Sequence, residues 1–296
     1  MKIARFLIGG RPTVAVDDGA GFTDYGALLE SRGYKSEIAG AEPDRRLIRM
    51  LRRGLLDPQF IREQLEWARH SGRNFLLDTG KSAPLLPLRP TKIICMARNW
   101  AGHAKEGGHP LPDQPIFFAK TDNCACGPGD PIRIPDGIGR VDHEGELGVV
   151  IARRVSRVSA VEAMNSVLGY TIINDVTARE FQRRLAGEGF PWFQAKSLDS
   201  FAPLGPWIVT RDAMEPLEGK RIRITVNGEL RQDGLLDDLH FKVPQILEAI
   251  SRHITMIPGD IIATGTPSGV GPIKAGDEVA VEIDGIGRLV NPVAAK

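Results

Sequence analysis

The sequence predicts an α+β fold in which β-strands predominate. Short, β-rich apolar segments follow one another through most of the 296 residues, and only a few helical patterns interrupt them. Two phrases, IPGDIIATG and IKAGDEVAVEI, each place a Gly-Asp turn before an alternating strand. Strands and helices do not alternate regularly, so the pattern does not favour a parallel sheet built from βαβ units.

The first part of the chain is predicted to begin with strands at residues 3–8 and 13–16, separated by a turn at Gly9 and Gly10. Two helical patterns follow. The second starts with Asp57 as N-cap and a proline at the first helical position. A proline is tolerated there because a backbone N–H at that position would have no partner within the helix. We therefore predict a small α/β unit in this part of the chain.

A proline-rich stretch predicts a domain boundary near residue 86. Pro84, Pro87 and Pro90 fall within seven residues. Each proline restricts its own backbone and disfavours helix at the residue before it, so the stretch is typical of an extended connector. We therefore predict a small N-terminal domain at residues 1–86 and a larger domain at residues 87–296.

The larger domain is predicted to contain most of the strands and three helices. The strands are expected at residues 92–97, 115–119, 147–152, 170–173, 206–209, 221–226 and 278–283. One helix is predicted at residues 159–168, where Ser159 and Glu162 match a capping box. Another is predicted after Asp175, and a third from Pro244.

The charge composition disfavours a polyanion as partner. The 38 basic and 37 acidic residues give a net charge of +1, so no general field holds nucleic acid or an anionic membrane surface. A basic stretch at residues 45–53 has Leu47, Met50 and Leu51 at helical spacing, which predicts a solvated arginine face on a helix. We expect a small-molecule partner, with no nucleic acid and no membrane.

The N-terminus and the cysteines indicate a cytoplasmic protein. MKIARFLIGG lacks the apolar core and cleavage site of a signal peptide, and no apolar run approaches the roughly 18 residues of a membrane span. Cys95, Cys124 and Cys126 are an odd number, which disfavours a disulfide framework. The Cys-x-Cys pair has no third Cys or His at familiar zinc spacing. We expect reduced structural thiols.

The sharpest local motif is VDHEGELGVVIA, in which Glu144 and Glu146 precede an apolar strand. Residues two apart in a strand point to the same face, where two buried carboxylates repel each other and are costly to desolvate. A bound cation is the usual remedy. Asp175, at the end of the apolar run GYTIIND, offers a third oxygen ligand, a set that suits Mg²⁺ or Mn²⁺ better than zinc. The alternative is a solvated strand edge.

Three further segments contain residue types that carry chemistry. His103 and Glu106 lie one helical turn apart, where a carboxylate orients an imidazole for general-base work; an exposed helix pair is the alternative. Lys196 lies in a stretch predicted to be partly buried, so it needs an anion, either a substrate or Asp199. The loop TGTPSGVG offers backbone N–H groups to a carboxylate, or is purely structural.

Seven blocks in a fixed order resemble the fumarylacetoacetate hydrolase family over about residues 90–290. The blocks are KIICMARNWAGHAKE, PIFFAK, VDHEGELGVVIA, GYTIINDVTARE, KSLDSFAPLGPW, VNGELRQDG and PGDIIATGTPSGVG. The resemblance implies a mixed β-roll catalytic domain, a smaller N-terminal domain of the kind that many bacterial members carry, and a homodimer.

The resemblance also implies roles for the candidate residues. Glu144, Glu146 and Asp175 match the family's Mg²⁺ or Mn²⁺ ligands. His103 and Glu106 match its water-activating pair.

Five positions match the part of the family site that holds the substrate. Arg179 and Gln182 match residues that line it, Lys196 matches its lysine, and Thr266 matches the threonine that binds the substrate carboxylate. Arg98 lies in a block that the family often writes Gly-Arg-Asn-Tyr. That block here is Ala-Arg-Asn-Trp, and the larger tryptophan leaves the size of the substrate open.

The implied activity is hydrolysis of a carbon-carbon bond in a 2,4-dioxo acid, either an acylpyruvate or a 2,4-dioxo sugar acid. The acid would chelate the metal, the activated water would attack the distal carbonyl, and an enolate stabilised with the help of Lys196 would leave. The same enolate serves decarboxylation, isomerisation and dehydration, so a lyase or isomerase is the alternative. An inactive binding protein on the same scaffold is a further alternative.

Overall fold

The computed structural model describes residues 1–39, 45–80 and 82–296. The strands are β1 (Lys2–Ile8), β2 (Arg11–Asp17), β3 (Phe22–Asp24), β4 (Ile93–Ala97), β5 (Ile116–Lys120), β6 (Ala125–Cys126), β7 (Ile132–Ile134), β8 (Val141–His143), β9 (Gly145–Ile151), β10 (Val167–Asn174), β11 (Thr177–Ala178), β12 (Ala202–Thr210), β13 (Arg221–Val226), β14 (Glu229–Leu235), β15 (Ile261–Ala263), β16 (Gly271–Ile273), β17 (Glu278–Ile283) and β18 (Gly287–Ala295). The α-helices are α1 (Tyr25–Ser31), α2 (Lys35–Ile38), α3 (Arg46–Arg52), α4 (Pro58–His70), α5 (Ala101–Glu106), α6 (Ala160–Ala163), α7 (Arg179–Gly187), α8 (Phe193–Lys196), α9 (Arg211–Met214) and α10 (Val243–His253).

The central sheet follows the order β3-β2-β1-β12-β10-β9-β15-β4-β5, with β6 paired to β12 outside this path. Its neighbours are antiparallel except for β15 with β4 and β12 with β6. A second sheet has the order β14-β13-β17-β18-β7, and a small third sheet has the order β11-β8-β16. This arrangement confirms the predicted α+β, mainly β class.

The N-terminal strands belong to the central sheet. Lys2 pairs with Val209 and Ile3 with Ile208, so β1 extends the sheet beyond β12. The side chains of Ile3, Leu28 and Ile208 are fully buried in one apolar cluster. The N-terminal segment therefore covers part of the larger core. The domain boundary near residue 86 stays a prediction.

The first two sheets meet closely at Gly145, the first residue of β9. A Cβ atom at this position would lie 2.4 Å from Ile224 Cγ1 and 2.9 Å from Val281 Cγ1, both on the second sheet. Such distances are shorter than van der Waals contact, so a side chain would push the two sheets apart. This close approach lies directly between Glu144 and Glu146.

The helix predicted at residues 159–168 is wrong in its second half. The helix α6 and one 3₁₀ turn end before Val167, where β10 begins. The predicted capping box is also wrong, because the Ser159 hydroxyl donates to the Glu162 carboxylate (3.0 Å) and no side chain caps the helix. Leu168 packs in the core from β10, and this burial outweighs the local helical pattern.

The other helix predictions are confirmed. The helix α7 follows Asp175, and α10 has Pro244 in its first turn. Leu47, Met50 and Leu51 form the buried stripe of α3. Among the described residues, none of the helices is both long and apolar enough to cross a membrane.

The three cysteines are free thiols, as expected. Cys95 and Cys124 are buried, and Cys126 is half-buried. Burial raises the pKa of the Cys126 thiol to about 12 and also raises the pKa of the other two. All three therefore stay protonated at neutral pH, which suits structural rather than reactive thiols.

Candidate metal centre and active site

Two neighbouring strands bring three carboxylates together. Glu144 precedes β9, Glu146 is its second residue, and Asp175 directly follows β10. The strands are antiparallel, so the end of β10 meets the beginning of β9, and the Asp175 N–H donates to the Glu144 carbonyl (2.7 Å). One carboxylate oxygen from each residue lies within 4.8 Å of the other two. The structure thus places the three predicted ligands in one buried cluster.

The electrostatics of this cluster fit a divalent cation. Burial and the charges of Asp175 and Glu144 raise the pKa of Glu146 well above its usual range. Burial acts on Glu144 in the same direction, but Lys196 and Arg179 outweigh it and hold the pKa of Glu144 below its ordinary value. An all-oxygen donor set containing a carboxyl group that is costly to ionise suits Mg²⁺ or Mn²⁺.

Two buried lysines hold the carboxylates in place. Lys196 Nζ donates to Glu144 Oε2 (2.8 Å) and to Asp175 Oδ2 (2.7 Å). Burial would lower the pKa of Lys196, but Asp175 and Glu144 outweigh it and raise the pKa. The alternative pair with Asp199 is wrong, since that carboxylate accepts from Lys296 Nζ (2.9 Å) at the surface.

Lys120, the second buried lysine, was missed by the sequence prediction. Its Nζ donates to Asp175 Oδ1 (2.7 Å) and to the Val176 carbonyl (3.1 Å). The only sequence signal was a lysine that ends the apolar block PIFFAK. A buried lysine requires an anion, so this position could have been recognised as a site residue.

Arg179 connects the cluster to a fourth acid, Asp142, which was also missed. Its Nε donates to Asp142 Oδ2 (2.8 Å), its Nη1 donates to Gln182 Oε1 (2.6 Å), and its Nη2 contacts Glu144. Burial would lower the pKa of Arg179, but Glu144 and Asp142 raise it. Arg140 binds Asp142 from the other side, with Nε 2.7 Å from Oδ1.

His103 and Glu106 face each other on α5, as predicted. The distance from His103 Nδ1 to Glu106 Oε2 is 3.7 Å, too long for a hydrogen bond. The other oxygen, Glu106 Oε1, accepts from the Gly269 N–H (2.8 Å), which joins α5 to the glycine-rich loop after β15. His103 Nδ1 is buried and has no hydrogen-bond partner among the described residues.

Thr266 is engaged in a buried network around Gln232, another residue that was not predicted. The Thr266 hydroxyl donates to the Gly145 carbonyl (2.8 Å) and accepts from Gln232 Nε2 (2.8 Å). Gln232 Nε2 also donates to the Pro267 carbonyl (2.6 Å), and Gln232 Oε1 lies 3.0 Å from His143 Nδ1. The hydroxyl has a single proton, and it donates this proton to the Gly145 carbonyl.

One cavity of about 570 Å³ connects these groups. The candidate residues that line it are Arg98, His103, Glu106, Glu144, Glu146, Arg179, Gln182, Lys196 and Thr266. Asp175 is buried behind this surface and bonded to both lysines. The structure therefore brings all ten predicted site residues to a single cavity or its floor.

The chain is similar to proteins of known family along its whole length. The model of the fumarylacetoacetate (FAA) hydrolase C-terminal family matches residues 92–294. A mitochondrial oxaloacetate tautomerase of Xenopus laevis is 34% identical over 301 residues, covering 99% of this chain and 90% of the relative. The oxaloacetate tautomerase YisK of Bacillus subtilis is 36% identical over 247 residues, covering 78% of this chain and 81% of the relative.

Solved structures give the same result. A maleylpyruvate hydrolase from Sphingobium, in complex with manganese(II) and pyruvate, has a TM-score of 0.79 and 31% identity, covering 100% of this chain and 99% of the other. A 5-carboxymethyl-2-hydroxymuconate isomerase from Mycobacterium smegmatis has a TM-score of 0.75 and 33% identity, with 100% and 99% covered. Members of this group are enzymes: hydrolases, isomerases and tautomerases. With its catalytic region and its complete fold both matched, the chain belongs to the fumarylacetoacetate hydrolase family.

Proposed function

We propose that the protein is a divalent-metal-dependent enzyme that interconverts the keto and enol forms of a 2-oxo acid. The observation that carries this proposal is the buried cluster of Glu144, Glu146 and Asp175, which shares one cavity with Lys196 and His103. Relatives named as oxaloacetate tautomerases support the choice of reaction, because one of them aligns with 99% of the chain.

The three carboxylates would hold Mg²⁺ or Mn²⁺. When bound, the ion would act as a Lewis acid toward the carboxylate and 2-oxo oxygens of the substrate. Lys120 and Lys196 fix the orientation of Asp175 by binding one oxygen each. The cluster is therefore preorganised by its neighbours, as ligand carboxylates in metal sites usually are.

The remaining groups supply charge and a proton acceptor. The His103 imidazole takes a proton from the carbon beside the 2-oxo group, and the released electron pair forms the carbon-carbon double bond of the enolate. The ammonium group of Lys196, held at Glu144, stabilises the negative charge that develops on oxygen. Protonation of that oxygen by water gives the enol, and the hydroxide left behind takes the proton from the His103 imidazolium. The reverse sequence gives the ketone.

Hydrolysis of a carbon-carbon bond in a 2,4-dioxo acid is the second candidate. The pairing of His103 with Glu106 favours it, since a carboxylate beside an imidazole suits the activation of water. The structural neighbour named as a maleylpyruvate hydrolase supports it as well. Both reactions need the same carboxylates and the same base, so only substrates can separate them.

The test measures both reactions on one preparation. The decay of enol absorbance of oxaloacetate and the cleavage of an acylpyruvate are followed after treatment with a chelator, and again after addition of Mn²⁺ or Mg²⁺. We expect tautomerisation to require the metal and to return with it. Full activity of the metal-free protein would overturn the proposal. Metal-dependent cleavage without faster tautomerisation would assign the protein to the hydrolases.

The family resemblance also leads us to propose a homodimer. Light scattering coupled to size-exclusion chromatography measures the mass directly. A mass of twice the 32.3 kDa of the chain is expected. A monomer at micromolar concentration would contradict this part of the proposal.

A further inference from the structure

We propose that Asp142 is a positioning residue for the substrate site. Through Arg179 it fixes the side-chain amide of Gln182 with its N–H groups available to the cavity, where they donate to an oxygen of the bound ligand. This inference rests on the proposed function, because it takes that ligand to be a 2-oxo acid. It gives a role to a buried acid that is not one of the three candidate metal ligands.

Asp142 is a buried acid held between two arginines. It lies on β8 and is 1% exposed. Its Oδ1 accepts from Arg140 Nε (2.7 Å), and its Oδ2 accepts from Arg179 Nε (2.8 Å). Both oxygens are therefore occupied by guanidinium groups, and the carboxylate lies outside the candidate metal cluster. An ionised carboxylate only accepts hydrogen bonds, so Asp142 serves to hold these cations in one orientation.

The backbone brings Asp142 next to the start of α7. Asp142 pairs with Thr177 in the antiparallel ladder of β8 and β11, and β11 leads directly into α7. The Arg179 N–H, at the first residue of this helix, donates to the Arg140 carbonyl (2.7 Å). Main-chain contacts thus place Arg179 beside Asp142, and the ion pair then selects the direction of its side chain.

Arg179 uses a different nitrogen for each of its partners. Its Nε donates to Asp142, its Nη1 donates to Gln182 Oε1 (2.6 Å), and its Nη2 contacts Glu144. A guanidinium group is planar and rigid, so the bond from Nε to Asp142 sets the plane in which the other two nitrogens point. Gln182 lies three residues after Arg179 on α7, where the two side chains are neighbours.

This contact decides which end of the Gln182 amide is available to the cavity. Arginine has only donors, so the atom that meets Nη1 is the carbonyl oxygen, and the reverse orientation would bring N–H groups together. The other end, Nε2, has two N–H bonds and no hydrogen-bond partner in the described part of the chain. Gln182 is 7% exposed and lines the cavity beside Glu144 and Lys196. A buried amide with free donors requires an acceptor.

A 2-oxo acid supplies such an acceptor. Its carboxylate and 2-oxo oxygens accept hydrogen bonds, and the enolate carries additional negative charge on oxygen. A charge-assisted hydrogen bond from Gln182 Nε2 therefore stabilises the ligand. An amide free to rotate would instead present its carbonyl oxygen to the anion for part of the time. Asp142 and Arg179 together prevent this rotation.

The test is a double-mutant cycle on the affinity of the Mn²⁺-loaded protein for pyruvate, measured by titration calorimetry. Gln182→Met removes the amide and should raise Kd at least about tenfold, the usual cost of losing a hydrogen bond to a charged group. Asp142→Asn weakens the anchor of Arg179 and should raise Kd about three- to tenfold. In the Gln182→Met background, Asp142→Asn should add less than about twofold, because the amide through which it acts is gone.

A second comparison tests the amide orientation with Asp142 intact. Gln182→Glu keeps the shape of the side chain but places a carboxylate oxygen where the N–H groups were. It should therefore bind pyruvate more weakly than Gln182→Met, which only removes the donor. An amide that presents its oxygen to the ligand predicts the reverse order. This comparison carries the test if Asp142→Asn does not fold.

The matched control is Glu180→Gln, which also converts an acid beside Arg140 to an amide. Glu180 Oε2 accepts from the Arg140 N–H (3.3 Å), but Glu180 is exposed and does not line the cavity. The control should leave the affinity for pyruvate unchanged. The affinity for Mn²⁺ is measured for every variant, and Asp142→Asn should change it by less than about twofold.

Each outcome separates the positioning role from the function beneath it. An unchanged affinity in Asp142→Asn, or its full effect in the Gln182→Met background, would overturn the inference. A parallel loss of Mn²⁺ affinity would assign Asp142 to the support of Glu144 and also contradict it. Pyruvate binding by Gln182→Glu as tight as by Gln182→Met would overturn the amide orientation. Failure of the unmodified Mn²⁺-loaded protein to bind pyruvate would overturn the proposed function and this inference with it.

Discussion

Each oxygen of the Asp175 carboxylate is bound by a buried lysine. Lys120 binds Oδ1 and Lys196 binds Oδ2, both at 2.7 Å. Two buried ammonium groups would be costly without acids, and three clustered acids would be costly without cations. Asp175 and the two lysines are therefore mutually dependent, so removal of any one of the three leaves a buried charge without its full set of partners.

Replacement of one candidate ligand should weaken metal binding and leave the protein folded. Glu146→Gln keeps the shape of the side chain and its contact with the Gly265 N–H, but removes a charge from the cluster. We expect the affinity for Mn²⁺ to fall at least about tenfold. Calorimetric titration measures this, with the exposed Glu278→Gln as control. Equal affinities of the two variants would remove Glu146 from the ligand set.

Replacement of the proposed base should lower turnover and leave metal binding unchanged. His103→Ala is expected to lower kcat by roughly 10²- to 10⁴-fold, the usual contribution of a general base. The affinity for Mn²⁺ should stay unchanged, because His103 is not part of the carboxylate cluster. Steady-state kinetics and metal titration are compared with His253→Ala, at the exposed end of α10. Unchanged turnover in His103→Ala would exclude this residue as the base.

At the scale of elements, Gln232 joins β14 to the loop after β15. Its amide group binds Thr266, Pro267 and His143, all within the buried interior. This loop also holds Glu146 through Gly265 N–H and Glu106 through Gly269 N–H. The second sheet thereby helps to position Glu146 and the helix α5, although none of the three candidate metal ligands lies on it.

Removal of this amide group should loosen the loop. Gln232→Leu leaves the Pro267 carbonyl without its donor, so we expect the free energy of unfolding to fall by about 1–3 kcal/mol. KM for the substrate should rise more than the Kd for Mn²⁺, because Gln232 contacts none of the three carboxylates. Chemical denaturation and kinetics measure these effects. Arg231→Gln on the opposite face of β14 is the control and should change neither.

At the scale of the whole molecule, the N-terminal segment completes the central sheet. The strand β1 pairs with the edge of β12, whose residues Ile208 and Leu204 are fully buried. The Met1 ammonium also donates to Thr210 Oγ1 (2.8 Å) at the end of β12. We propose that residues 1–86 form a small domain and that this domain docks onto residues 87–296 through the shared sheet.

Disruption of the shared sheet should therefore lower the stability of the whole protein. Ile3→Asp places a charge in a fully buried position of β1, and we expect a loss of about 3–5 kcal/mol in the free energy of unfolding. Residues 87–296 alone should be poorly soluble, because β12 becomes an exposed edge. Soluble yield and thermal melting measure both effects. A truncated protein as stable as the complete chain would show that the segment contributes nothing to the core.

The sequence alone determined the fold class, about half of the strands and Glu144, Glu146 and Asp175 as candidate metal ligands. The fold class and the strands follow from local properties, the spacing of apolar residues and the turn residues, whereas the choice of a metal site over a solvated strand edge rested on the resemblance to the family. Where a local pattern competed with burial, as at Leu168, the prediction of a helix was wrong.

Only the tertiary structure decided which charges meet. Lys120 binds an acid 55 residues away, Arg179 binds Asp142 across 37 residues, and Gln232 binds Thr266 across 34. The sequence left Asp199 open as the partner of Lys196, whereas the fold selects Glu144 and Asp175. The physical reason is that an ion pair forms wherever folding brings opposite charges into a desolvated space, and sequence distance does not enter that energy.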